Sequence, residues 1–464
     1  MPKPTYASVA LDVDLEAKPR PTETRSETPF RILLLGDFSG RANRGEPSPA
    51  RLRPYLIDRD NFDEVLSRVR PVLELGEHGR SIVLRFRELE DFHPDRIFER
   101  HPVFEKLREE RRSPGSATRK PAPPAPPPDV GALSGGSLLD DMVDAIEHGP
   151  AAPQRQPDPL RDFIERAIAP HLVSPEDPRH AASVADADTA AGNLMRAILH
   201  HRDFQALEAG WRAVNWLVRG LETGPQLKVY VLDVCQADLP GCLPELHRLL
   251  VDQAAAIPGA EPWALVAGNF TFHRSAGDIH LLGELAKIMQ AADAPLLAEA
   301  DPAAADSEEA LRLWQALRRS PEARFIGLAL PRFLLRLPYG EQTDTLESFP
   351  FEEMPGAPVH GEYLWGNPAF ACAYLLGEAF SSEGWDLRPG AHRDIKGLPL
   401  HVYEEDGEKQ LKPCAEVLMT DRDADSLLEG GFMPLASMKN QDAALLVRFQ
   451  SIADPLAALA GRWD

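Results

Sequence analysis

PFRILLLGDFSGR, Pro29 to Arg41, decides how the chain is read. Arg31–Leu35 is an apolar run with no polar alternation, the pattern of a strand covered on both faces. It empties into a loop with two glycines, Gly36 and Gly40, in the outline of a phosphate-binding turn. A nucleotide-binding P-loop needs GxxxxGK[ST], and a dinucleotide fold needs GxGxxG. Here the glycines are four apart and Arg41 follows Gly40 with no Ser or Thr after it. The residues therefore favour a strand end that turns tightly, with Asp37 as its cap.

Downstream, DRDNFDEVLSRVRP opens a helix that Pro71 ends, and SIVLRFREL (Ser81 to Leu89) is the alternating second strand of a hairpin. DFHPDRIFERHPVFEKLREERR reads as a helix, with Asp95 and Glu99 early and Lys106 to Arg112 late, as the helix dipole prefers. Residues 29–112 are thus expected to form a compact α/β unit. Residues 113–136 are a Pro-rich then Gly/Ser-rich linker, the clearest boundary in the chain. Its reach is roughly 75 Å as polyproline and about 25–30 Å as a coil.

Upstream, residues 1–28 are a polar arm holding one strand pattern. Ala7, Val9, Leu11, Val13 and Leu15 alternate with Ser8, Ala10, Asp12, Asp14 and Glu16. Two readings stay open: an edge strand of the local sheet, or an arm donated to a neighbouring chain by strand addition.

Beyond the linker lies SLLDDMVDAIEHGP, residues 137–150. Leu138, Leu139, Met142, Val143 and Ile146 share one helical face, and Asp140, Asp141, Asp144 and Glu147 the other. Gly149-Pro150 stops the helix. It either docks on the following domain or is a short motif for another protein's groove. Residues 151–464 form the larger domain, beginning with helical DFIERAIAPHLV. After a helix–helix region (Ala190 to Leu221), strands at KVYVLDV, PWALVAGNFTF and RFIGLAL alternate with helices at LPELHRLLVDQAAAI and LLGELAKIMQAADAP. That alternation implies a mixed or parallel α/β sheet.

The chain has 72 acidic and 50 basic residues, a formal charge of -22, which argues against binding nucleic acid or anionic lipid. No apolar run reaches the roughly 18 residues of a membrane span, and no signal-peptide pattern opens the chain. Cytoplasmic residence is expected. The four cysteines, Cys235, Cys242, Cys372 and Cys414, form no CxxC or Cys/His cluster, so neither a zinc site nor a disulfide framework is indicated. Cys235 and Cys242 read as buried small hydrophobes. His200 and His201 diverge by about 100° on a helix and read as surface and cap. Glu352-Glu353 and Glu404-Glu405-Asp406 read as solvated loop charges. No GxSxG elbow appears. The residues indicate no enzyme, cofactor or metal.

Several blocks together resemble the contractile sheath proteins of bacterial type VI secretion systems. PFRILLLGDFSGR, LIDRDNFDEVLSRVRPVLEL and IVLRFRELEDFHPDRIFE resemble the sheath small subunit, in order and with natural spacing. AILHHRDFQALEAGWRAVNWLV (Ala197 to Val218) resembles the large subunit. So do WALVAGNFTF, DIHLLGELAKIMQAADAPLLAEA, FIGLALPRFLLRLPYG, YLWGN, Gly384-Trp385 and GFMPLASMKNQDAALLVRFQS. The resemblance implies a small-subunit-like domain tethered to a C-terminally shortened large-subunit-like domain, two parts that are separate chains in the family.

It further implies a structural protomer that assembles around an inner tube and contracts. The alternative is a non-polymerising accessory that caps, nucleates or inhibits sheath, or adapts it to the baseplate. Implied partners are itself or other sheath subunits, inner-tube protein, baseplate components and the AAA+ disassembly ATPase. In the family that ATPase reads a helix which residues 137–148 resemble, so Leu138, Leu139, Met142, Val143 and Ile146 become its expected contact. Ala7 to Leu15 become the expected strand-donating arm.

Overall fold

The computed structural model describes residues 28–76, 82–112, 178–253, 261–301, 303, 305–405 and 407–464. The first stretch holds β1 (Phe30–Gly36), a four-residue α1 (Arg41–Arg44), β2 (Tyr55–Ile57), α2 (Phe62–Val69), β3 (Val72–Leu75), β4 (Ile82–Arg85), α3 (Pro94–Arg100) and α4 (Glu105–Arg112). From residue 178 follow α5 (Pro178–Leu199), α6 (Arg202–Gly220), β5 (Leu227–Asp233), α7 (Leu239–His247), β6 (Leu265–Phe272) and α8 (Ala276–Ala292). Next are β7 (Leu296–Ala300), α9 (Glu308–Arg318), β8 (Ile326–Leu330), β9 (Phe333–Leu334), β10 (Trp365–Gly366) and α10 (Pro368–Glu383). The last are β11 (Asp394–Lys396), β12 (His401–Glu405), β13 (Glu408–Lys412), α11 (Asp421–Glu429), β14 (Phe432–Ser437) and β15 (Ala443–Leu446).

Nine strands make one mixed sheet in the order β11-β15-β14-β8-β7-β6-β1-β5-β2. The α/β expectation holds. From β5 to β14 neighbouring strands run parallel, while β2 and β15 pair antiparallel. Strand order reverses beside β1, the position where doubly wound sheets place ligands. The apolar run of β1 follows from this central seat. Ile32 and Leu34 enter the core on one face with α6 and α10, and Leu33 and Leu35 the core on the other with α8 and α9. Every second residue would otherwise meet water.

The first stretch therefore does not carry a sheet of its own beyond the hairpin β3–β4. Its strands β1 and β2 are built into the sheet formed by residues beyond 178.

The segment expected as one helix after Asp91 is broken. A 3-10 turn at Leu89–Phe92 precedes α3, and another at Pro102–Phe104 precedes α4. Pro94 and Pro102 each open a new turn because proline lacks the N–H that a continuing helix would use. His93 and His101 cap these turns, their rings accepting from Asp95 N and Val103 N at 3.2 Å each.

Candidate interaction site

The two halves of the sequence meet along β1. It pairs in register with β5 from Phe30↔Leu227 to Gly36↔Asp233, and with β6 from Ile32↔Leu265 to Leu35↔Gly268. Flanking bonds extend both ladders: Phe30 N donates to Gln226 O at 2.7 Å and Ala264 N to Arg31 O at 3.0 Å. A strand inserted this way has both backbone edges satisfied by the other half of the chain.

Above β1, the turn that outlines a phosphate site is closed by its own residues. The carboxylate of Asp37 accepts from Arg41 N and Ala42 N at 2.8 Å each. These are the donors a phosphate would require, and a fixed negative charge already holds them. Burial pushes the Asp37 carboxyl up, against the pull of those N–H groups. Asp233, at the end of β5, takes Ser39 N at 2.9 Å and Arg41 Nε at 2.7 Å. Gly40 sits at φ 73°, and a Cβ there would come within 2.5 Å of the Val72 carbonyl. Only glycine fits that approach. The turn is a clasp between β1, β3 and β5.

The second fastening is aromatic. Trp211 on α6 is fully buried, its ring centroid 5.4 Å from Phe38 and 5.8 Å from Phe62. Its Nε1 donates to Phe38 O at 2.8 Å. Two turns earlier Phe204 meets Phe86 and Phe92 edge-on at 6.0 and 5.9 Å. Phe204, Leu207, Trp211, Val214 and Val218 recur at helical spacing and lie buried together.

Polar contacts line the rim. The Arg59 guanidinium donates to the carbonyls of Val218 and Leu221 at 3.2 and 3.4 Å, a cation at the C-terminus of α6. Asp95 receives the N–H groups of Glu347 and Ser348 at 3.0 Å each. Asn43 Nδ2 donates to Asp203 at 2.8 Å, and Arg111 pairs with Asp188 at 3.1 Å.

Behind the seam two buried carboxylates, Glu208 and Glu353, meet half-buried arginines. Arg336 Nε lies 2.9 Å from Glu208 Oε1, and its Nη1 lies 2.7 Å from Glu353 Oε2. Arg212 Nε meets Glu208 at 2.6 Å, and Tyr339 N donates to Glu353 at 2.8 Å. Glu353, expected as a solvated loop charge, is 1% exposed. Burial alone would raise its carboxyl, but Arg336 and its hydrogen bonds hold it down at about 2. Glu352 and the Glu404-Glu405 pair are exposed as expected.

His201 caps α6 as expected, its ring accepting from Asp203 N at 3.3 Å, but His200, expected at the surface, is half-buried with its Nε2 3.5 Å from Glu353 Oε1. Cys235 is buried and Cys242 half-buried. Among the described residues no helix is long and apolar enough to cross a membrane. The arm residues Ala7, Val9, Leu11, Val13 and Leu15, and the helix residues Leu138, Leu139, Met142, Val143 and Ile146, lie outside the described residues. Sequence reasoning missed Phe38, Arg59, Asp95 and Asp233 as contacts. Each is an ordinary loop or strand-end residue whose partner is remote in sequence. Only the apolar spacing on α6 carried a signal.

A strand of residues 30–36 completed on both sides by strands from beyond 226 is an interface folded into one chain, and both of its sides match families of one apparatus. The VipB tail sheath N-terminal domain matches residues 181–313 and 303–453, more than half of the chain. The chain belongs to the tail-sheath family. The type VI secretion system VipA family matches residues 9–114, which include β1, β2 and the hairpin. The chain is also similar to the type VI secretion system sheath protein TssC1 of Pseudomonas aeruginosa (strain PAO1). The two are 35% identical over 298 residues, 58% of this chain and 59% of that relative. The VipA and VipB matches lie on opposite sides of the seam, so the tail-sheath chain carries both parts in one polypeptide.

Proposed function

We propose that the chain is a fused small/large sheath protomer of a type VI secretion apparatus, which assembles around an inner tube and contracts to drive secretion. The observation that supports this most is the seat of β1 between β5 and β6, with the VipA match on one side and the VipB match on the other. The linker, residues 113–136, keeps the two parts at high effective concentration while the sheet forms. The domain limits proposed are the arm (1–28), the small-subunit-like part (29–112), the linker, the helix motif (137–150) and the large-subunit-like part (151–464). The role is structural: contraction is a change between two packings of stable protomers and takes no catalytic group from this chain.

In this reading the arm at Ala7 to Leu15 adds to the sheet of a neighbouring protomer in the cytoplasm. Leu138, Leu139, Met142, Val143 and Ile146 present the helix read by the AAA+ disassembly ATPase. Other sheath subunits, inner-tube protein and baseplate components are the remaining partners. Negative-stain electron microscopy of the purified chain, alone and with inner-tube protein, tests the proposal. Tubes or cogwheel-like rings are expected. Discrete particles under both conditions would replace it with the non-polymerising accessory that docks on sheath or baseplate.

A further inference from the structure

The hairpin β3–β4 has one open edge, and a cavity of about 1210 Å³ lies against it. Phe86 N donates to Pro71 O at 3.1 Å, which sets the pairing phase. Leu84 and Ile82 then face β3 with their backbone groups, whereas Val83 and Arg85 point theirs away from it. His101 hydrogen-bonds the Val83 backbone. Among the described residues no backbone–backbone hydrogen bond reaches the outward groups of Val83 and Arg85. The cavity is walled by Val83, Arg85 and Arg87 on the strand side and by Ile97, Val103 and Lys106 on the helix side. A two-stranded hairpin with a free edge is the least stable form of a sheet and readily accepts a third strand.

We infer that residues 7–16 of the same chain occupy this edge in the free protomer, as a third strand beside β4. Faces and charges match. Along β4, Ile82, Leu84 and Phe86 are buried while Arg85 and Arg87 are exposed. Along the arm, Val9, Leu11, Val13 and Leu15 alternate with Asp12, Asp14 and Glu16. A strand laid beside β4 puts its apolar face over Ile97 and Val103, and its carboxylates beside Arg85 and Arg87. The tether reaches. Val72 N donates to Ser39 O, so the hairpin lies at the far end of β1 from Phe30. That is about 23 Å along seven residues. The 13 residues from Ala17 to Pro29 span up to about 43 Å.

The seat keeps the arm from pairing with a neighbour before assembly. It adds a resting state to the donated arm proposed above and shares with that reading only the strand character of residues 7–15. Hydrogen exchange by mass spectrometry on the full chain, at dilution where light scattering shows monomers, tests it. Deleting residues 1–16 is expected to speed exchange at Val83 and Arg85 at least tenfold. Arg85→Glu with Arg87→Glu is expected to do the same with the arm present and the circular dichroism unchanged. Equal exchange in parent and deletion, or a double variant as protected as the parent, overturns the inference. Protection that rises with protein concentration also overturns it, because the arm then comes from a second copy and the donated-arm reading stands alone.

Discussion

The indole Nε1 of Trp211 donates to the carbonyl oxygen of Phe38 over 2.8 Å, across 173 positions of sequence. Both residues are buried, and the bond crosses from the large-subunit-like part to the turn after β1. Sheet pairing alone would let β1 slide by two residues without changing faces. The clasp formed by Trp211, Asp233 and Gly40 sits at the strand's end and fixes its register.

Trp211→Phe keeps most of the ring packing and removes the donor, leaving the Phe38 carbonyl buried without a partner. The expected loss is about 1–3 kcal/mol of unfolding free energy. Trp211→Ala adds a cavity among Phe38 and Phe62 and is expected to cost about 3–5 kcal/mol. Urea unfolding followed by circular dichroism measures both. Equal losses for the two variants would show that the hydrogen bond, not the packing, dominates this contact.

Cutting the linker separates covalent from physical connection. With a specific protease site placed between residues 113 and 136, the two fragments are expected to co-elute on size exclusion after cleavage, because β1 is paired on both edges. Fragment 1–112 expressed alone is expected to aggregate, since β1 would then expose two apolar strand edges. Elution of the cleaved fragments as two separate folded species would mean that the β1 ladders do not hold without the tether.

The sequence showed the strands and most helices where a single face is buried, as in β5 or α6, since burial on one side leaves a period. It did not show α10. PAFACAYLLGEAF has almost no polar face because α10 lies under the sheet with its residues buried on all sides, and a helix buried all round has no period to read. Nor did it show that β1 would join strands 197 and 233 residues away, from Phe30↔Leu227 (227 − 30) and Ile32↔Leu265 (265 − 32). The apolar run indicated burial on both faces but not which strands flank it, since parallel partners are chosen by topology and not by local pattern. Glu353 was misread for a related reason: a carboxylate in a polar stretch looks solvated until its partner, Arg336, is placed beside it by folding.

The helix motif makes a separate prediction. Leu139→Asp with Met142→Asp breaks the apolar face of residues 137–148 while leaving every described residue untouched. Binding to the N-terminal domain of the disassembly ATPase is expected to fall at least tenfold by fluorescence anisotropy, with thermal stability unchanged. Undiminished binding with a lowered melting temperature would instead place the helix on the chain's own larger domain.

The cluster of Arg336, Glu208, Glu353 and Arg212 makes the fold sensitive to acid. Glu353 titrates at about 2 in the folded chain, against about 4.5 when it is unpaired. A depressed carboxylate contributes stability that is complete above the unfolded value and is lost as pH falls through the folded one. The contribution, up to about 3 kcal/mol, is therefore present at neutral pH and disappears between pH 4.5 and 2. Removing only one partner is worse than protonating it. Arg336→Met would leave Glu353 and Glu208 buried without their shared cation, at an expected cost of about 3–5 kcal/mol at pH 7. As pH falls towards 3 the same variant is expected to lie closer to the parent, because without Arg336 the buried Glu353 takes up a proton and no longer requires compensation. Thermal melts of both proteins from pH 7 to 3 check this. A gap between them that stays constant across that range would show that Arg336 acts through packing and not through its charge.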